Sequence, residues 1–199
     1  MNTLKPRQIP IMFSRFVALV LLILALPILA VLAVLVALSM GRPVMFRQTR
    51  SGKGGEGFTL VKFRSMNDAR DARGELLPDE ERTGAVGTLL RRSRLDELPG
   101  LWNVVSGDMN FVGPRPLLPP TIAEKGEVGR RRGAVKPGLT GWAQVNGNTL
   151  LSLDEKMALD LWYIENRSMA LDLRIIMRTL LVMVGGERRT PTVVGNAKN

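Results

Sequence analysis

Between Arg15 and Arg42 the chain carries no charged residue, and the run FVALVLLILALPILAVLAVLVALSM is almost wholly aliphatic. At a rise of about 1.5 Å per residue, such a run reaches across a hydrocarbon core about 30 Å thick. A membrane segment is therefore expected within residues 1–42. A cleaved signal peptide is the competing reading, since basic residues precede the run and Ala37-Leu38-Ser39 loosely matches a cleavage site. Its apolar region would span only about 7–15 residues, which is too short for this one. Pro27 sits near the middle, where it removes one helical hydrogen bond and clashes with the preceding turn, so a bend is expected there. Lys5, Arg7 and Arg15 precede the run and Arg42, Arg47, Arg50 and Lys53 follow it, so neither flank looks like a translocated end. Two topologies fit: a segment that enters and leaves by the same face, broken at Pro27, and a kinked helix that spans.

From Pro43 polar and apolar positions mix. PVMFRQTR (43–50) alternates as a strand, SGKGGEG (51–57) is a glycine-rich turn, and FTLVKFRSM (58–66) reads as the returning strand of a hairpin. The turn lacks Walker spacing and a following Ser or Thr, so it reads as a turn rather than a phosphate loop. NDARDARGELLPDEERTG (67–84) has no apolar face and reads as a surface loop with one short helical turn. Leu89, Leu90, Leu95, Leu98, Leu101, Trp102, Val104 and Val105 then recur at helical spacing, interrupted at Pro99 and ended at Gly107. GPRP (113–116) must be extended, because each proline fixes its own φ and biases the residue before it away from helix, which holds Arg115 on a stiff loop. IAEKGEVGRRRG reads as a short exposed helix, and VKPGLTGWAQVNGN as a loop with a brief strand. LDEKMALDLWYIEN is an amphipathic helix with its acids toward solvent. ALDLRIIMRTLLVMV has Arg174 and Arg178 four residues apart on an otherwise apolar surface, and fits either a buried core helix or one lying flat among lipid head groups. The expected domain covers 43–186, with a disordered tail over 187–199.

Composition narrows the chemistry. A chain of 199 residues suits one domain plus its membrane appendage. There is no cysteine, which excludes disulfides, thiol catalysis and cysteine zinc sites, and no histidine, which removes the commonest general base. Any catalysis must then use carboxylates, lysine, arginine, tyrosine or a metal. The net charge of +10, from 28 Lys and Arg against 18 Asp and Glu, suits anionic partners such as phospholipids or phosphorylated substrates. Nucleic acid is the weaker candidate, because the few aromatic residues are not interleaved with the basic ones as a stacking platform requires. A basic tethered adaptor without enzymatic activity is the other reading that charge alone leaves open.

Asp96 and Glu97 in RRSRLDELPGLWN are adjacent acids behind three arginines. On a helix, neighbours point about 100° apart, so they do not form a symmetric pair, and they read equally as counter-charges for Arg91, Arg92 and Arg94. The alternative gains weight from Lys62, Arg91 and Arg115, cations of the kind that clamp phosphate oxygens. A carboxylate among them stays ionised, and serves as a nucleophile or holds Mg2+.

KFRSM (62–66), DARGELLPDE (71–80), LDELPGLWNV (95–104), GDMNFVGPRPL (107–117) and KPGLTGWAQVNG (136–147) resemble, in order, the successive signatures of the bacterial sugar transferases, the small monotopic phosphoglycosyl transferases. The resemblance implies transfer of a sugar 1-phosphate from a UDP-sugar to a polyprenol phosphate with release of UMP. It implies Asp96 as the nucleophile that forms a covalent phosphosugar intermediate, Mg2+ beside it, and Glu97 as the second dyad member. It implies a mixed, helix-rich α/β membrane-associated domain at the cytoplasmic face of a bacterial inner membrane, in its minimal catalytic form. That form has interfacial amphipathic helices and an N-terminal re-entrant helix broken at a Ser-Pro pair, which here reads Leu26-Pro27. The DARGELLPDE stretch resembles that of relatives using N-acetylated amino or diamino sugars. Gln144 and Asn146 are candidates for polar lining of the nucleotide-sugar site, or for simply holding their turn.

Overall fold

In the computed structural model, which describes residues 11–190, Ile11–Met40 form one helix of 30 residues, α1, which continues through Pro27. It is the one helix among the described residues long and apolar enough to cross a membrane, with a mean hydropathy of 3.3 over its most apolar 18 residues. Yet it lies along the rest of the protein. Ala18, Leu32 and Val36 are buried, and Leu22, Leu29 and Ala33 are partly so. Those positions recur three, four or seven apart and form one stripe. Near one end, Arg15 Nε donates to the Val105 carbonyl at 2.7 Å and its Nη2 to that of Ser106 at 3.0 Å. At the other, Arg64 Nη1 donates to the Met40 carbonyl at 3.3 Å. The remaining faces expose Phe16, Leu24, Val31 and Leu38.

The expected hairpin is present. β1 (Met45–Ser51) pairs antiparallel with β2 (Gly57–Phe63), Phe46 opposite Lys62. The loop that follows contains one helical turn, α2 (Asp79–Arg82). The helical pattern after it divides in three: α3 (Ala85–Ser93), a 3-10 turn over Leu95–Gly100, and α4 (Leu101–Ser106). Arg94 makes the division, adopting a left-handed φ of 56° that ends α3. Asn103 of α4 grips β2 by its backbone, accepting from Val61 N at 3.1 Å and donating to the Thr59 carbonyl at 2.8 Å.

β3 (Asn110–Val112) runs into the GPRP loop, and α5 (Pro119–Glu124) and α6 (Gly126–Arg132) carry the chain back to β4 (Gly138–Thr140). β3 and β4 pair in parallel, Asn110 opposite Gly138 and Val112 opposite Thr140. Glycine permits the closeness. A Cβ on Gly138 would stand 2.1 Å from Gly113 N, and one on Gly141 2.1 Å from the Gly113 carbonyl oxygen, so two of the sequence signatures meet backbone to backbone.

α7 (Trp142–Val145), α8 (Leu153–Asn166) and α9 (Met169–Gly185) complete the fold around Val112, Trp142, Leu159, Tyr163 and Ile175. Tyr163 donates to Asp172 Oδ1 at 2.7 Å and ties α8 to α9. Ser152 caps α8 through a reciprocal box with Glu155. Replacing Ser152 with Ala is expected to cost about 1 kcal/mol, read as a lower denaturation midpoint in detergent; an unchanged midpoint would show the cap to be idle.

Four expectations are corrected. The helix expected to break at Pro27 runs unbroken from Ile11 to Met40. The acids of α8 do not all face solvent: Glu155 and Asp160 are buried, because Asp160 meets Arg132 at 2.7 Å and Glu155 closes the cap and meets Arg189. α9 is neither purely core nor purely interfacial, since Leu171 and Ile175 are buried while Leu173, Met177, Leu181 and Val184 are bare. Arg178 turns inward over the Trp142 ring, whereas Arg174 is exposed. Of the expected tail, Glu187–Thr190 hold defined contacts, Thr190 N donating to the Asn146 carbonyl at 3.1 Å; residues 191–199 lie outside the described ones.

Candidate active site

The 3-10 turn carrying the two acids is pinned by its leucines. Leu95 and Leu98 pack with Leu90 of α3, Phe63 of β2 and Leu32 and Val36 of α1. That packing drives Asp96 inward, to 6% exposure. Asp96 makes no hydrogen bond or ion pair among the described residues. Glu97 is the opposite case. Its Oε1 accepts from Arg115 Nη2 at 2.6 Å, and its Oε2 lies 3.8 Å from Arg94 Nη1.

Electrostatics separates the two accordingly. Burial, with the Glu97 charge adding to it, raises the Asp96 pKa from 3.8 to about 6, while Lys62, Arg115 and Arg91 pull the other way. Burial also opposes ionisation of Glu97, but Arg115 and Arg94 outweigh it and hold that carboxyl below its ordinary value. One acid is a fixed, neutralised anion, and the other is an unpartnered carboxyl facing cations.

The cations expected from the sequence converge here. Lys62 Nζ lies 5.2 Å from the Phe46 ring centroid, with no hydrogen-bonding partner among the described residues, and burial lowers its pKa. Arg91 is held loosely, 3.5 Å from Thr83 Oγ1 and 4.0 Å from Asp79. Arg115 is positioned from behind, its carbonyl accepting from the buried Arg132, whose Nε meets Asp160 Oδ2 at 2.7 Å. Three arginines escaped the sequence reading as site residues. Arg50 lines a small pocket of about 40 Å³ with Lys62, Glu97 and Arg115, Arg94 forms an ion pair with Glu97, and Arg132 braces Arg115. The GPRP stiffness was the available signal for a brace, and the counter-charge reading of the dyad already set Arg94 against it, as the Arg94–Glu97 pair bears out; nothing in the local pattern marked Arg50.

Gln144 and Asn146 belong to the interior. Asn146 is fully buried, donating to the Trp142 carbonyl at 2.8 Å and accepting from Arg178 at 2.9 Å, so it holds its turn together. Gln144 is buried with Oε1 unpaired, and neither residue lines a cavity at the dyad.

Glu97 also lines a second, larger space. A cavity of about 690 Å³ runs between Phe13, Leu21 and Leu24 of α1 and Ile176, Leu180 and Met183 of α9, and reaches Arg94 and Glu97. Its walls are mostly apolar, with Ser14, Thr140 and Thr179 the polar residues besides Arg94 and Glu97. For a divalent cation, no cluster of three acidic side chains occurs among the described residues. Mg2+ is commonly held by one or two carboxylates and completed by water and substrate phosphates, a pattern that the unpartnered Asp96 fits and the arginine-bound Glu97 does not.

A family model described as bacterial sugar transferase matches residues 6–186. The uncharacterized sugar transferase EpsL of Bacillus subtilis (strain 168) is 50% identical over 145 residues, 73% of this chain and 72% of that protein. The UDP-glucose:undecaprenyl-phosphate glucose-1-phosphate transferase of Escherichia coli (strain K12) is 38% identical over 158 residues, 73% of this chain and 33% of that protein. The UDP-N-acetylgalactosamine-undecaprenyl-phosphate N-acetylgalactosaminephosphotransferase of Aeromonas hydrophila is 37% identical over 152 residues, 72% of this chain and 36% of that protein. This chain spans about a third of the length of the last two. It belongs to the bacterial sugar transferase family.

Proposed function

We propose that the protein moves a sugar 1-phosphate from a UDP-sugar to undecaprenyl phosphate and releases UMP, at the cytoplasmic face of a bacterial inner membrane. The observation that carries this reading is the split dyad, a free, buried Asp96 facing Lys62, Arg91 and Arg115 beside a Glu97 locked by arginines. In the first step an Asp96 carboxylate oxygen attacks the β-phosphorus of the UDP-sugar. The bond from that phosphorus to the bridging oxygen breaks, UMP leaves with the electron pair, and the sugar phosphate is held on Asp96. In the second step an oxygen of the lipid phosphate attacks the same phosphorus, restoring the carboxylate and giving a lipid diphosphate sugar. Splitting one transfer into two lets a single site serve a water-soluble donor and a membrane-bound acceptor in turn.

Lys62, Arg91 and Arg115 bind and orient the phosphates and balance charge as it moves between oxygens. Glu97 holds Arg115 and Arg94 in register. Mg2+, bound through Asp96 and substrate oxygens, would supply further charge neutralisation on the diphosphate. The apolar cavity between α1 and α9 suits the first isoprene units, with the lipid phosphate at its Arg94 and Glu97 end. That both ends of α1 bond to the same domain, while its outer faces are apolar, supports entry and exit by the same face, in a helix that is not broken at Pro27.

The test is UMP release from UDP-N-acetylgalactosamine, UDP-glucose and UDP-galactose, with and without undecaprenyl phosphate. Without the lipid, UMP release stops near one equivalent and labelled sugar phosphate stays on the protein; adding lipid discharges it. No release from any donor sinks the reading, and release only when both substrates are present sinks the covalent route. A pH dependence follows from the raised Asp96 pKa. Since the nucleophile must be ionised, kcat/KM for the UDP-sugar is expected to fall about tenfold per pH unit below about 6 and to level off above it. A flat profile down to pH 5 would remove Asp96 from that role.

A further inference from the structure

Among the described residues, only two that are not glycine hold a left-handed backbone: Arg94, with φ of 56°, and Asn148, with φ of 44°. Such a conformation crowds any residue that carries a Cβ, and it persists where the surroundings fix it. One carboxylate binds both side chains. Glu187, two residues past the end of α9, accepts through Oε1 from Arg94 Nη2 at 3.1 Å and from Asn148 Nδ2. Its Oε2 accepts from Thr149 N at 3.1 Å and from Thr149 Oγ1. Four donors thus converge on two oxygens, in keeping with a carboxyl held below its ordinary pKa against its burial.

The two turns it joins are distant in sequence, and the first carries the dyad. Arg94 is where α3 ends and the dyad turn begins, and its other terminal nitrogen pairs with Glu97. Asn148 follows the TGWAQVNG loop, whose Gly141 lies against Gly113 at the start of the GPRP segment. Charges alternate along the line Glu187, Arg94, Glu97, Arg115, with the outer pairs hydrogen-bonded and the Arg94–Glu97 pair an ion pair at 3.8 Å. Beyond Glu187 the strap is fastened again, by Arg189 on Glu155 and by Thr190 N on the Asn146 carbonyl.

We infer that Glu187 is a positioning residue for transfer: it clamps Arg94 in its left-handed turn and through Arg94 sets Glu97 and the dyad turn. This rests on the transferase reading. A displacement of about 1 Å at a reacting group costs up to about 100-fold in rate, so a clamp of this kind is read in turnover.

The experiment compares the full-length wild type, Glu187→Gln, Arg94→Ala and the double variant in one detergent, using the three UDP-sugars above and undecaprenyl phosphate. UMP released without lipid counts competent sites, and the thermal midpoint is followed in parallel. Glu187→Gln still accepts from Thr149 but loses the charge that holds Arg94. It is expected to lower kcat about 10- to 50-fold, with KM for the UDP-sugar within about twofold and the count of competent sites unchanged. In the Arg94→Ala background its loss adds less than about twofold, because the clamp then has nothing to hold. Wild-type turnover in Glu187→Gln, a loss that matches fewer competent sites, or effects that multiply in the double variant would each overturn the proposal. A wild type inactive on every donor would overturn the transferase reading and the proposal with it, whereas an active wild type beside an unimpaired Glu187→Gln overturns the proposal alone.

Discussion

Replacing Asp96 with Asn is expected to lower sugar phosphate transfer by about 1,000-fold or more and, in the same molecule, to raise the stability of the fold. The loss follows from removing the nucleophile, since an amide oxygen does not form the covalent intermediate. The gain follows from burial. A carboxyl whose folded pKa lies above its unfolded value binds its proton more tightly when folded. It therefore favours the fold below its unfolded value and costs stability as pH rises through about 6. A rise from 3.8 to about 6 corresponds to a cost on the order of 3 kcal/mol at neutral pH, which the neutral amide avoids. Denaturation midpoints of wild type and Asp96→Asn should differ at pH 7.5 and converge near pH 4. A variant less stable than wild type at pH 7.5 would mean that Asp96 is held by contacts rather than exposed to a desolvation cost.

Arg115→Met is the second large effect. Arg115 sits between two prolines, braced by Arg132, with its guanidinium on Glu97 and close enough to Asp96 to lower that residue's pKa. Removing one preorganised cation from such a site lowers turnover by about 100- to 1,000-fold. It also withdraws a charge that favours ionised Asp96, so the acid limb of the rate profile should move to higher pH. Arg115→Lys should recover only part of the rate, because a lysine lacks the planar fork that pairs with Glu97. The side chain is 39% exposed, so the fold should survive. Activity within about threefold of wild type, with an unmoved acid limb, would reduce Arg115 to scaffold.

Much of the site could be read from the chain because its signals are local. Lys62 and Arg115 each stand in a short, stiff segment, a strand and a proline-flanked loop, and the structure brings both to Asp96. The hairpin was legible for the same reason, since alternation and a glycine-rich turn fix its register. Long-range features were not legible. Arg94 breaks the helix through a left-handed turn that arginine does not advertise, and its anchor lies near the far end of the chain. The acids of α8 looked solvent-facing because Arg132 and Arg189 are distant in sequence. β3 and β4 have three residues each, too few for a pattern, and the close backbone approach at Gly113, Gly138 and Gly141 emerged only in the structure.

The docking of α1 also has a consequence in time. Arg15 bonds to carbonyls 90 and 91 residues further along the chain, and Leu32 and Val36 pack on Phe63 and Leu90. At about 5–20 residues per second, roughly 5–20 s of synthesis separate Arg15 from its partners, and roughly 1–12 s separate Leu32 and Val36 from theirs. For that interval α1 is only a hydrophobic segment, and whatever receives it at the ribosome meets a helix long enough to span. The bonds that fix its Arg15 end can form only after α4 has been made.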